Sequence, residues 1–253
     1  RRRAEAPCNS GHIGPTTSNY MSVTIRRSAD RGHQDHGWLD TRHSFSFANY
    51  YDAQHMGFRS LRVINEDRIQ EGMGFGTHPH RDMEIFSVIL SGAIAHRDSM
   101  GNERVSKPGE IQLMSAGTGV THSEFNPSET EPLHLLQIWL EPNQLGLTPS
   151  YTEWKPDAAT QAQSDVVVVS PDGRDSSATI HQDVIVRRLR LTPGAKKTYV
   201  VADGRALWLQ VINGDMQIDG AQLHAGDGAN TETSGPHQIT ANSTSEALIF
   251  DLG

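Results

Sequence analysis

A single cysteine, Cys8, occurs among the 253 residues, so the chain cannot form an intrachain disulfide. Disulfides are typical of secreted proteins, and their absence favours the cytoplasm as the compartment. Cys8 also lies in a segment that we exclude from the fold below, and we assign it no role.

The sequence also lacks long apolar runs and an excess of positive charge. No run approaches the roughly 18 residues of a membrane-spanning helix, and the basic start Arg1–Arg3 is not followed by the apolar part of a secretory signal. The chain has 22 Lys and Arg against 30 Asp and Glu, a net charge of −8, which argues against binding nucleic acid through its phosphates. We expect a soluble globular protein with no direct membrane or nucleic-acid partner, large enough for one large or two modest domains.

Residues 1–22 differ in composition from the rest of the chain. They are rich in Arg, Ser, Thr, Gly and Pro and show no hydrophobic periodicity, and Met21 resembles a natural start. We therefore expect residues 1–22 to be a disordered extension or an expression remnant outside the fold.

What the sequence does contain is many short strand-like runs separated by turn residues, such as EIFSVIL, EIQLMSAG, LHLLQIWL and ALIFDL. Sustained helical periodicity is missing, and residues 49–58 and 153–163 could hold a short helical turn at most. Glycines in the connections fit tight hairpin turns. This pattern predicts an all-β protein, either a sandwich or a small barrel.

The second half of the chain repeats the first. FSVILSGAIAHRDS is followed by PGEIQLM, and LWLQVINGDMQIDG is followed by AGDGANT, with Gly92 and Gly214 at the same turn. We expect an N-terminal domain over residues 23–145 and a C-terminal domain over residues 146–253, joined within the polar segment 142–165.

Two pairs of side chains in the first repeat have the spacing of metal ligands. His78 and His80 lie at i and i+2 in GFGTHPHRDME, and His122 and Glu124 do so in GTGVTHSEFN. Residues at this spacing in a strand project to the same face. If neighbouring strands bring the pairs together, three imidazoles and one carboxylate meet at one point.

Nitrogen and oxygen ligands of this kind suit Fe(II), Mn, Co, Ni, Cu or Zn better than Ca or Mg. A six-coordinate ion held by four protein ligands would keep two positions open for water, O2 or an organic ligand, as catalytic sites do.

These motifs resemble those of the cupin family. Gly72-x5-His78-x-His80-x3-Glu84, followed by Gly92, is similar to the first cupin motif. Gly119-x2-His122-x3-Asn126 is similar to the second. The spacing from Glu84 to Gly92 is one residue longer than usual, and Ser115 stands where cupins often have proline. In many cupins the first-motif glutamate is a ligand, whereas here Glu124 is better placed.

With this variant of the cupin motifs, the chain resembles the pirin family of bicupins over roughly residues 23–253. Within that family it is most similar to bacterial members with quercetin 2,3-dioxygenase activity. The similar segments include RGHQDHGWLDTRHSFSFANYYDAQHMGF, FGTHPHRDMEI and LHLLQIWLEP. The resemblance implies two tandem cupin barrels (double-stranded β-helix, or jelly-roll) and one divalent metal, usually iron, held by His78, His80, His122 and Glu124. It also implies opening of a flavonol C ring with O2 and release of carbon monoxide.

Other candidates are given structural roles. We expect Glu84 to form a salt bridge or lie at the rim, and His96 and His134 to be hydrogen-bonded strand residues. Four histidines near the N-terminus lack ligand spacing, although a role at the rim of the site stays open: His33, His36, His43 and His55. Four aromatic residues are expected to pack in the core or to cover the site: Phe45, Phe47, Tyr50 and Tyr51.

The second repeat serves as an internal control. Aligning Gly92 with Gly214 places Val200 and Ala202 at the positions of His78 and His80. A looser match places His237 at His122 and Ile239 at Glu124. Because Val, Ala and Ile cannot bind a metal, we expect one metal per chain, in the N-terminal domain.

The resemblance favours a flavonol dioxygenase, in which Glu124 would be the general base that takes the proton of the flavonol 3-hydroxyl. The alternative is a non-catalytic metalloprotein that acts as a redox-sensitive regulator through protein partners. A different reaction on another enolic or phenolic substrate also stays open.

Overall fold

The structure is a computed structural model that describes residues 23–253, so Cys8 and the predicted extension lie outside the described residues. The all-β prediction is confirmed. Within this range the helical elements are the one-turn helix α1 (Ala158–Gln161) and two short 3-10 turns, Ser28–Asp30 and Arg174–Ser176. No helix of residues 23–253 has both the length and the apolar character that crossing a membrane requires.

The first half of the chain contributes twelve strands. They are β1 (Thr24–Arg26), β2 (Gly32–Asp35), β3 (Leu39–His43), β4 (Leu61–Ile69), β5 (Gly74–His80), β6 (Glu84–Ser91), β7 (Ile94–Asp98), β8 (Glu103–Ser106), β9 (Ile111–Ser115), β10 (Val120–Phe125), β11 (Leu133–Leu140) and β12 (Ser150–Trp154).

The second half contributes ten strands. They are β13 (Asp165–Ser170), β14 (Ala178–Thr179), β15 (Val184–Leu191), β16 (Lys196–Val201), β17 (Ala206–Asn213), β18 (Met216–Ile218), β19 (Ala221–Leu223), β20 (Gly228–Thr231), β21 (Gly235–Ala241) and β22 (Ser245–Leu252).

Each half combines a seven-stranded sheet with a four-stranded sheet. The orders are β12-β9-β6-β11-β4-β3-β2 and β5-β10-β7-β8 in the first half, and β1-β20-β17-β22-β15-β13-β14 and β16-β21-β18-β19 in the second. The duplication is visible in the central strands, because β6 and β17 are both eight residues long, have the same burial pattern and end before Gly92 and Gly214.

The hydrophobic core has separate compartments. One cluster lies inside the second half and includes Leu207, Val211 and Ile239. The largest cluster joins residues of both seven-stranded sheets, such as Phe86 and Phe250, so these sheets pack against each other. Burial of this apolar surface holds the two halves together.

The first strand crosses from one half to the other. Residues 24–26 of β1 pair with residues 228–230 of β20 in the second half. The side chain of Arg26 returns to the first half, where its Nε donates to Ser44 O (3.0 Å) and its Nη2 donates to Tyr50 Oη (2.9 Å).

The segment after residue 145 crosses the predicted boundary in the other direction, because β12 pairs with β9. The expected domain boundary between residues 145 and 146 stays a prediction, and strands pair across it in both directions.

Gly74 is required by the close approach of β5 to β10. A Cβ atom at Gly74 would lie 2.2 Å from Glu124 O and 2.5 Å from Phe125 Cα, whereas one at Gly76 meets nothing within 4 Å. Both glycines are in β5, so they form a matched pair.

We predict that Gly74→Ala destabilises the protein by about 1–3 kcal/mol because β5 and β10 must separate. Gly76→Ala should change the free energy of unfolding much less. Urea unfolding of both variants measures the difference, and equal unfolding midpoints would contradict the close-approach explanation.

Candidate metal centre and adjoining cavity

Three histidines converge where β5 and β10 pair. The two strands are antiparallel, with His78 opposite His122 and His80 opposite Val120. Thr77 and Pro79 are exposed, and His78 and His80, which alternate with them along β5, project inward. The ring centroids of His78, His80 and His122 are separated by 4.5–4.8 Å.

The ring nitrogens of these histidines face one another. His78 Nε2 and His122 Nε2 lie 3.1 Å apart, and His78 Nδ1 lies 2.7 Å from Gly76 O. Because a carbonyl only accepts, Nδ1 carries the proton and His78 Nε2 has a free lone pair. His80 Nε2 is buried and has no hydrogen-bond partner among the described residues.

Burial keeps two of the imidazoles neutral. Burial, together with the neighbouring His78, lowers the pKa of His80 to about 4. Burial lowers the pKa of His122 to about 2, with further contributions from His78, His80 and His96. Neutral imidazole is the form that binds a metal ion, so both rings are in that form at neutral pH.

Glu124 follows His122 on the same strand but after a bulge, where the β5–β10 register shifts. Its carboxylate is buried and accepts from Gln112 Nε2 (3.2 Å) and Gln137 Nε2 (2.9 Å). Burial raises the pKa of Glu124.

The four predicted ligands therefore fall into two adjoining groups. His78, His80 and His122 form one group, and His96, His122 and Glu124 form the other, each with ligand atoms within 4.8 Å of one another. His122 belongs to both groups and connects them.

This donor set fits a divalent transition metal. Three imidazole nitrogens and one carboxylate are the ligands that such ions prefer. The unpartnered buried nitrogen of His80 has the arrangement expected of a ligand atom, because a buried polar atom without a partner is otherwise unfavourable.

His96 is closer to the site than its sequence spacing indicated. Its Nδ1 lies 3.4 Å from His122 Nδ1, and its Nε2 lies 3.1 Å from Asp98 Oδ2. Asp98 in turn accepts from the side chain and backbone of Asn102. His96 is thus a hydrogen-bonded strand residue that orients His122, and Asp98 at i+2 is the sequence signal for it.

A cavity of about 310 Å³ opens beside the histidines and is within the size range of small-molecule sites. His78 and Glu124 are among its lining residues. Its walls are rich in aromatic side chains: Trp38, Phe47, Phe75 and Trp139. Phe47 stands edge-on to Trp139, with ring centroids 5.4 Å apart.

Sequence reasoning missed a buried carboxyl group in this cavity. Asp67 is 4% exposed and accepts a hydrogen bond from the Thr41 hydroxyl. Burial raises its pKa to about 7, against the opposing effect of that hydrogen bond. Asp67 lies in a strand with no ligand-like spacing, so only its burial identifies it.

The structure places the histidines and aromatic residues for which the sequence left both a packing role and a role near the site open. His36, His43 and Phe47 line the cavity. Phe45 packs on Trp208 in the core, and Tyr51 is exposed. Three further histidines pair with carboxylates away from the three converging imidazoles: His33 with Asp40, His55 with Asp52 and His134 with Glu66.

Of the two roles expected for Glu84, the structure gives the pairing and not the rim position, because its Oε2 lies 3.5 Å from His181 Nδ1. Glu84 is fully buried, accepts from the Ser115 hydroxyl and from the His181 backbone N–H (3.2 Å), and belongs to neither candidate group. The hydrogen bonds from Ser115 and His181 hold this carboxylate apart from the three histidines.

The second half lacks an equivalent cluster among the described residues. Tyr199 lies opposite His237 as His78 lies opposite His122, so the counterparts of His78 and His80 are Tyr199 and Val201, one residue from the expected Val200 and Ala202. Both ring nitrogens of His237 are engaged, Nδ1 by Asp219 and Nε2 by Thr233 O. Ile239 replaces the carboxylate and is buried.

Comparison with known proteins gives matches in both halves. A family model described as Pirin matches residues 24–140, and a model of the quercetinase C-terminal cupin domain matches residues 167–252. The predicted fold class of two tandem cupin barrels is confirmed.

The similarity to individual proteins extends over nearly the whole chain. Quercetin 2,3-dioxygenase of Escherichia coli (strain K12) is 48% identical over 230 residues, which cover 91% of this chain and 98% of that protein.

Solved structures give the same result. The crystal structure of YhhW from Escherichia coli has a TM-score of 0.89 and 47% identity, and the match covers 92% of this chain and 98% of that one. The structure of the bacterial pirin YhhW in complex with nickel(II) has a TM-score of 0.87 and 46% identity, covering 91% and 99%.

The raised pKa of Asp67 gives a pH-dependent prediction. Between its ordinary value of 3.8 and about 7, the folded state binds a proton that the unfolded state releases. The protein therefore loses stability from this group as the pH rises through that interval. Asp67→Asn removes this titrating group, so the variant does not lose this stability. The difference in free energy of unfolding, variant minus wild type, should therefore rise by on the order of 4 kcal/mol as the pH rises across the interval.

Urea unfolding at pH values below, within and above the interval measures this change. Asp203→Asn, which changes an exposed carboxyl in the turn before β17, is the control and should follow the wild-type pH dependence. A constant difference between Asp67→Asn and wild type at every pH would refute the assignment.

Proposed function

The chain belongs to the pirin family, and from this membership we propose that it is a metal-dependent dioxygenase that opens the C ring of a flavonol such as quercetin with O2 and releases carbon monoxide. The relative from Escherichia coli is named quercetin 2,3-dioxygenase, and at 48% identity over 91% of the chain the similarity assigns a cupin dioxygenase activity. The observation that carries the proposal is the convergence of three imidazoles, one of which, His78, lines an aromatic cavity together with Glu124.

We assign the metal to His78, His80, His122 and Glu124. A divalent ion bound there would act as a Lewis acid that lowers the pKa of the flavonol 3-hydroxyl and orients the substrate. Iron is the ion expected for the family. Nickel is the ion in the solved structure of the relative YhhW.

Glu124 is the candidate general base. Its raised pKa favours acceptance of a proton at neutral pH. Gln137 donates to one carboxylate oxygen and lines the cavity, so it positions Glu124 toward the substrate. Gln112 donates to the other oxygen from the barrel interior.

The cavity suits a planar molecule that carries several hydroxyl groups. Aromatic side chains form the apolar walls, and faces or edges of such rings favour contact with an aromatic ligand. Two buried polar atoms on the lining have no partner among the described residues, Trp139 Nε1 and His43 Nε2. Together with the Asp67 carboxyl, they offer hydrogen bonds to phenolic oxygens.

We predict that His78→Ala loses the bound metal and lowers quercetin turnover at least about 100-fold, since changes to groups that only orient a ligand already cost 10–100-fold. Metal analysis of protein purified without added metal, coupled to aerobic loss of quercetin absorbance, measures both effects. His33→Ala is the matched control because His33 is exposed and outside the cavity. The second barrel should stay folded in both variants.

Retention of one metal equivalent by His78→Ala would contradict the ligand assignment. A wild-type protein that holds its metal but leaves quercetin unchanged would contradict the dioxygenase proposal and favour the regulatory alternative, in which protein partners respond to the redox state of the ion.

A second variant tests the role of Glu124. With metal in excess, Glu124→Gln should lower kcat for quercetin by about 10²–10⁴-fold because the general base is lost. Glu84→Gln makes the same change at a buried carboxylate outside the cavity, where the amide oxygen can still accept from Ser115, and should keep its activity. Equal kcat values for the two variants would exclude Glu124 as the base.

A further inference from the structure

A second cavity lies between the two halves of the chain. It has a volume of about 260 Å³ and is lined by residues of both seven-stranded sheets, including Trp154 of β12 and Arg188 of β15. It shares no lining residue with the cavity beside the histidines. The proposed dioxygenase function therefore makes no use of it.

Arg188 is the unusual residue of this cavity. It is 4% exposed, its guanidinium lies 5.2 Å from the centre of the Trp154 ring, and its Nη2 donates to Gln161 O (3.0 Å). The remaining donors, Nε and Nη1, are buried and have no hydrogen-bond partner in residues 23–253. A buried guanidinium needs a counter-charge and partners for its N–H groups, since both are costly to leave unsatisfied.

The other charged groups of the cavity are already satisfied. Arg190 Nε donates to Glu246 Oε2 (3.0 Å). His134 Nε2 lies 2.9 Å from Glu66 Oε1. Glu110 accepts from the Lys107 backbone N–H (3.0 Å). Among these groups, Arg188 is left as the cation without a carboxylate partner.

We propose that this cavity is an anion site in which Arg188 binds a small oxyanion, either phosphate or the carboxylate of a small organic acid. Guanidinium groups form their strongest hydrogen bonds with such oxygens. The anion would supply the counter-charge and accept from the free N–H groups. Arg190 lines the same cavity, but its charge is balanced there by its partner Glu246, so the free charge comes from Arg188.

The position of the site gives binding a measurable consequence. Since both sheets line the cavity, the anion binds the folded chain and not the unfolded chain. A ligand of this kind raises the stability of the whole protein in proportion to the logarithm of its concentration above Kd.

The test compares full-length wild type with Arg188→Met and with Arg97→Met. Met keeps much of the apolar stem of Arg188 without its charge, and Arg97 is an exposed arginine outside both cavities. Inorganic phosphate and, separately, acetate are titrated against chloride at constant ionic strength. Isothermal calorimetry and thermal unfolding are followed.

Wild type and Arg97→Met should bind phosphate or acetate saturably, and Tm should rise by about 5–10 °C at a hundredfold excess over Kd. Arg188→Met should show no such shift. In chloride alone it should be as stable as wild type or more stable, because an uncompensated buried cation has been removed. The anion that binds identifies which of the two sources fits the cavity.

Equal Tm shifts in Arg188→Met and Arg97→Met would overturn the proposal, as would a lack of saturable binding of both anions to wild type. If Arg188→Met does not fold, Arg188→Lys replaces it. Lysine keeps the charge but loses the planar donor arrangement, so Kd should rise at least tenfold, and an unchanged Kd would count against the site. None of these outcomes depends on quercetin turnover.

Discussion

The antiparallel pairing of β5 with β10 is the constraint on which the candidate metal centre depends. It places His78 directly opposite His122, and the alternation of the strand then places His80 on the same face. A slip of one residue would turn every one of these side chains to the other face. At Gly74, β5 lies so close to the Glu124 carbonyl that no Cβ atom fits. A slipped register would bring a larger residue to this point and push the strands apart, so the close approach favours the observed register.

The bulge after His122 adds a second element to this arrangement. It interrupts the pairing so that Glu124 lies opposite Phe75 rather than the residue that regular pairing would give. Bulges often redirect side chains near active sites. Here Gln112 and Gln137 donate hydrogen bonds to the Glu124 carboxylate. The group that contains Glu124 has one member in common with the group of three histidines, His122.

The sequence predicted the all-β fold, the duplication and the common faces of His78 with His80 and of His122 with Glu124. The direction of a side chain in a strand alternates from residue to residue, so a spacing of two residues was sufficient to predict that both side chains of each pair share a face. Asp67, Gln137 and Trp139 were missed because their importance comes from long-range packing around a cavity, which no local spacing encodes. The pairing expected for Glu84 was found with His181, but its partner and its burial could not be predicted because its contacts with Ser115 and His181 join segments far apart in the chain.

The two barrels share a fold and differ in the few side chains that make up the candidate metal centre. The second barrel keeps the strand order and a histidine at the matching position, but Asp219 and Thr233 occupy both of its ring nitrogens, and Tyr199 and Ile239 stand where ligands would be. The fold thus fixes the positions, and a few side chains decide whether they can hold an ion.

Strand pairing across the predicted boundary joins the barrel that lacks the ligands to the barrel that has them. A break in the chain near residue 145 would place β12 and its partner β9 on different pieces, and likewise β1 and its partner β20. If β1 were lost, the exposed edge of β20 would be open to pairing with strands of other molecules, a common route to aggregation. We therefore expect the two barrels to unfold together, because each contributes a strand that pairs with strands beyond the predicted boundary.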